Sequence, residues 1–174
     1  MRTVTTLVEH NLLALKQGVD LLNALSDASY RHTAPPVYDS SIGAHLRHVL
    51  EHYVCLLQGA PSHAIDYDGH DRDRRIEHDR AFALGVTGEI TQGLHVLGAD
   101  DFPVRVKMTS DPRVEVAWTD STLLRELQYV QAHTIHHFAL IAMMVRMQGH
   151  EPPPDFGVAP STLAYRMHTA AAPR

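Results

Sequence analysis

Apolar residues in the first part of the chain recur every three or four positions. Val4, Val8, Leu12, Leu15, Val19 and Leu22 share one face of a helix, so the spacing predicts an amphipathic helix over about residues 4–25. A second helix is predicted over about 40–58, capped by Ser40 or Ser41 and stopped by Gly59 and Pro61. The third, about 76–97, carries Ile76, Ala83, Val86, Ile90, Leu94 and Leu97 along one side, and the fourth runs over about 121–148 to Gly149. Between them the period changes to two. The runs Val104 to Met108 and Val114 to Trp118, separated by Thr-Ser-Asp-Pro-Arg, predict a β-hairpin over about 104–118. Tyr30 to Tyr38, with Pro35 and Pro36, and the polar stretch Asp66 to Arg75 are predicted as connections, and a short helix is predicted near 162–168. The pattern describes one all-α domain over residues 1–174: a four-helix bundle with a small β-hairpin between helices three and four.

A chain of 174 residues has the size of one domain with its own core. Its 15 Lys and Arg against 20 Asp and Glu give a net charge of −5, which argues against nucleic acid as a partner, since duplex binding needs a basic surplus. No apolar run approaches the ~20 residues of a membrane span. The first residues, interrupted by Glu9, His10 and Asn11, do not read as a signal peptide, so a cytoplasmic protein is expected. A single cysteine, Cys55, excludes an intramolecular disulfide and any multi-cysteine zinc site. A metal would have to be held by nitrogen and oxygen.

Fourteen of the 174 residues are histidine, the commonest metal ligand. On the second helix, His45, His48, His52 and Cys55 form a stripe about 100° from the apolar line of Ile42, Leu46, Val49, Tyr53 and Leu56. On the fourth, His133 and His137 are one turn apart, about 40° around the axis, so both imidazoles can converge on one ion. His136 flanks them. Such a pair with one histidine from the facing helix makes a three-nitrogen site that leaves a coordination position for water or substrate. The spacing alone leaves His45, His48 and His52 open as the second-helix member.

The segment Ser41-Ile-Gly-Ala-His-Leu-Arg-His48, followed 85 residues after His48 by His133-x-x-x-His137, resembles the DinB/YfiT-like superfamily of metalloenzymes, and the order of elements matches from about residue 4 to 148. The resemblance implies a bundle that binds a divalent metal, often nickel or zinc, through one histidine of helix two and two of helix four, here His48, His133 and His137. His52 then stands as a further ligand or ligand-orienting group, His45 as the neighbour one turn away, and Glu126 or Glu9 as a carboxylate able to take the other N–H of a ligand histidine. Members of this superfamily include transferases that use low-molecular-weight thiols such as mycothiol or bacillithiol, which implies thiol transfer in detoxification, with a small-molecule substrate and a thiol cofactor.

Metal-assisted hydrolysis needs the same ion and open site, and a non-catalytic metal-binding stress-response bundle needs only the ion. The spare helix face suits a homodimer. The remaining histidines, His70 among them, are expected to be ordinary hydrogen-bonded residues, and Cys55 a small buried apolar group. The arginines of the Asp66 to Arg75 stretch are expected to be solvated, with forked pairing to substrate carboxylates as the alternative.

Overall fold

A computed structural model of the chain describes residues 3–170. The long helices begin at hydroxyl or carboxylate caps. Thr3 Oγ1 accepts from the Thr6 N–H at 3.2 Å and opens α1 (Val4–Ala24), and Ser41 Oγ accepts from the Ala44 N–H at 3.0 Å and opens α3 (Ile42–Gly59). Thr122 does the same for α6 (Leu123–Met147) through the Arg125 N–H. A short helix, α2 (Asp27–Arg31), lies within the stretch that includes the Tyr30 to Tyr38 connection. Among the described residues no helix is long and apolar enough to cross a membrane.

The third predicted helix is two. At Asp79 the backbone is extended and its carboxylate accepts from the Phe82 N–H at 3.0 Å. The side chain thereby ends α4 (Arg74–His78) and starts α5 (Arg80–His95). α1 packs against α5 and α6, and α3 against both as well, around a core that includes Leu7, Leu15, Leu22, Leu50, Leu56, Leu94, Leu127 and Phe138.

The all-α bundle with a local hairpin is not what forms. After α3 a 3-10 turn, Ala60–Ser62, and the left-handed His63 (φ 58°) redirect the chain. The extended segment β1 (Ala64–Asp66) then runs parallel to β2 (Pro103–Lys107), which also pairs antiparallel with β3 (Thr119–Thr122). The result is a three-stranded mixed sheet of order β1-β2-β3. The expected second strand, Val114 to Trp118, lies outside it, because Pro103 pairs with Thr122 and Val106 with Thr119. The fold is therefore helix-rich with a mixed sheet, and the short helices α2, α4 and α7 (Pro160–Ala170) accompany the four long ones. α7 buries none of its residues. It follows a segment anchored by Phe156, which stacks on Phe138 at 4.6 Å, and by Gly157 (φ +71°), where a Cβ would collide with the α6 backbone.

One buried polar network ties three helices together. Asn11 of α1 donates to the carbonyls of Leu7 (2.8 Å) and Leu127 (3.0 Å) and accepts from the Tyr53 hydroxyl of α3 at 2.7 Å. The Thr134 hydroxyl of α6 lies 3.1 Å from Tyr53 Oη and 2.6 Å from the Val130 carbonyl, its single proton serving one at a time. Gly43 allows α3 to touch the Glu77 carbonyl and Tyr30, where any side chain would collide.

Candidate metal centre

α3 turns Leu46, Val49, Leu50 and Tyr53 into the core, which leaves His45 and His48 half-buried on the adjoining face and His52 buried further along. α6 buries Val130, Thr134 and Phe138 and so presents His133 and His137 beside them. The two helices bring His48, His133 and His137 together: one ring nitrogen from each lies within 4.8 Å of the other two. The ring centroids are 4.9 Å apart for His48–His133 and His48–His137, and 4.6 Å for His133–His137. His133 Nε2 is buried with no hydrogen-bond partner, a state that costs free energy unless something occupies the lone pair.

The group is neutral near pH 7. Burial, reinforced by the charges of neighbouring His52 and Arg47 and more weakly by His45 and Arg72, pushes His48 down to about 4. Burial and the neighbouring histidines push His133 and His137 down to about 3. Neutral imidazoles offer lone pairs without first losing a proton, as a divalent ion requires. Three neutral imidazoles, one of them His133 with its unpartnered Nε2, fit a divalent metal ion.

His45 and His52 are placed around this group in different ways. His45 Nδ1 lies 3.0 Å from His137 Nδ1, one nitrogen donating to the other. His52 Nδ1–H donates to the His48 carbonyl at 2.8 Å, which leaves Nε2 as its bare nitrogen. The His52 ring stacks on His133 at 4.2 Å and on Tyr67 at 5.2 Å. His136 is exposed, its ring 5.2 Å from that of His137.

The two carboxylates expected to take a ligand N–H, Glu126 and Glu9, do not contact these histidines. Glu126, on the first turn of α6, is buried and accepts from the hydroxyls of Tyr67 (2.8 Å) and Ser121 (2.5 Å) rather than from a histidine. Glu9 is exposed on α1 and lines a separate groove with Leu12 and Leu13.

Above the histidines opens a cleft of about 720 Å³. Tyr67, Tyr129 and Met108 form an aromatic and thioether side of its lining, where the Tyr129 hydroxyl donates to Met108 Sδ at 3.0 Å. Sequence reasoning missed His70, which belongs to the same lining: its Nδ1 is 3.2 Å from Cys55 Sγ and its Nε2 3.2 Å from Glu51 Oε2. Nothing in its spacing marks it, because its partners come from α3. Burial, with Asp66, Glu51 and Asp68 nearby, pushes the Cys55 thiol up to about 11, so it stays protonated, its sulfur lying against His70 Nδ1 and, at 3.9 Å, the Tyr67 carbonyl. Comparison of the chain with protein-family models, with curated proteins and with solved structures returned no match.

Proposed function

We propose that this chain is a divalent-metal-dependent enzyme of the DinB/YfiT-like type that transfers a low-molecular-weight thiol to an electrophilic small molecule in detoxification. The observation that carries the reading is His133 Nε2, buried and unpartnered beside His48 and His137 under an open cleft. His48, His133 and His137 hold the ion, zinc or nickel. A bound ion of this kind lowers the pKa of a thiol or water so that it is nucleophilic near pH 7.

The chain's own residues do the rest. His45 fixes the ring plane of His137 through the Nδ1 pair. His52, with Nδ1–H committed to the His48 carbonyl, offers Nε2 to take the proton of an entering thiol. Tyr67, Tyr129 and Met108 cover one side of the cleft and keep water from the apolar part of a substrate. The sheet supports this wall through Tyr67, whose N–H donates to the Lys107 carbonyl at 3.0 Å.

Metal content by mass spectrometry tests the reading, on the full chain purified without a histidine tag, wild type beside His133→Ala/His137→Ala. About one zinc or nickel per wild-type chain, lost in the double variant, is expected. Thiol transfer to 1-chloro-2,4-dinitrobenzene by the loaded chain and not by the double variant is the expected second result. Equal metal in both proteins, or none in either after incubation with zinc and nickel, overturns the metal centre, and a loaded chain without thiol transfer overturns the reaction.

A further inference from the structure

Two arginines line the cleft, and they differ in what they already bind. Arg47 is engaged, with Nη1 3.2 Å from Glu51 Oε1 and Nε 3.2 Å from Glu77 Oε2. Arg72 is exposed and has no carboxylate within ion-pair distance among the described residues. Two carboxylates near it in the chain are occupied. Asp68 accepts from the Thr109 N–H, and Asp73 caps α4 while pairing with Arg75 at 2.7 Å. Asp71 is outside the cleft lining.

The segment that carries Arg72 is fixed at both ends. Before it, His70 is inserted between Cys55 and Glu51, and the Asp68 N–H donates to Asp66 Oδ1 at 3.0 Å. After it, Asp73 starts α4. The Arg72 guanidinium, at the edge of the cleft on an anchored segment and without a carboxylate partner among the described residues, is free to receive an anionic group by two parallel N–H donors.

We propose that Arg72 anchors the carboxylate of a small substrate whose reacting end lies over His48, His133 and His137. This rests on the metal-centre reading above and adds the substrate class: a carboxylate-bearing thiol with a short apolar body that lies against Tyr67, Tyr129 and Met108. Arg72 is a specificity residue in this arrangement. It fixes one end of the molecule, so the other end is presented to the histidines in a restricted set of orientations.

Calorimetric titration of the zinc-loaded full chain with 4-mercaptobutyrate and with 4-mercapto-1-butanol, equal in length and different in charge, tests this. Wild type is expected to bind the carboxylate about tenfold more tightly than the alcohol, the scale of one hydrogen-bonded ion pair. Arg72→Gln is expected to bring the two together at unchanged zinc content, and Arg72→Lys to keep part of the preference. Zinc retained while the two thiols bind wild type alike, while neither binds, or while the preference survives Arg72→Gln overturns the role of Arg72 alone. Failure of the wild-type chain to retain zinc overturns the metal centre and this inference with it.

Discussion

His45 Nδ1 and His137 Nδ1 lie 3.0 Å apart, so a histidine outside the group of three is hydrogen-bonded to one of its members. With that nitrogen of His137 engaged, Nε2 is the one left free for a ligand bond. Outer partners of this type fix the tautomer and ring plane of a ligand histidine. His45→Ala is expected to weaken zinc binding about 10- to 100-fold, measured by competition with a chromophoric chelator, and His45→Gln, which keeps an acceptor, to recover part of it. Unchanged affinity in His45→Ala would remove the positioning role.

The histidine group also makes the metal-free chain sensitive to acid. Above the ordinary histidine value of 6.5, neither the folded nor the unfolded chain carries these charges. Below it the unfolded chain takes up protons that the folded chain refuses until about 4 at His48 and about 3 at His133 and His137. The unfolded state binds more protons across that window, so stability falls as pH drops through it. Urea midpoints of the metal-free protein are expected to fall more between about pH 6.5 and pH 4.5 in wild type than in His133→Gln/His137→Gln. Parallel curves for the two proteins would contradict the burial of these imidazoles.

Glu126 is a buried carboxylate satisfied by two hydroxyls, from Tyr67 and Ser121. Tyr67→Phe keeps the ring that stacks on His52 and removes one of those donors. It is expected to destabilise the chain by about 1–3 kcal/mol, the cost of an unsatisfied buried acceptor. Urea unfolding measures it, and a loss under about 0.5 kcal/mol would mean that water replaces the hydroxyl.

The long helices were legible because their apolar residues repeat at the helical period over many turns, as from Val4 to Leu22 in α1. Of the strands only β2 was, from the alternation of Val104 to Met108. β1 is only three residues, Ala64–Asp66, too short to show alternation, and its parallel partner lies about 40 residues away. Val114 to Trp118 alternates but finds no partner, while the polar Thr119–Thr122 pairs because the register of β2 places it there. The Asp79 break carried a readable sign, an Asp three residues before the Phe82 N–H that it caps. In the site, the one-turn spacing of His133 and His137 was visible from sequence alone. The grouping of His48 with them, the His45 pair and the placement of His70 against Cys55 depend on how α3, α6 and the loop after β1 meet.

The hydrogen bonds among Asn11, Tyr53 and Thr134 hold the relative height of α1, α3 and α6 with groups that lie outside the histidine cluster. An arriving ion therefore meets a scaffold already assembled, and little of its binding free energy is consumed in ordering chain. For a metal held by these histidines, loading and stripping would be exchange reactions of a folded protein rather than steps of folding.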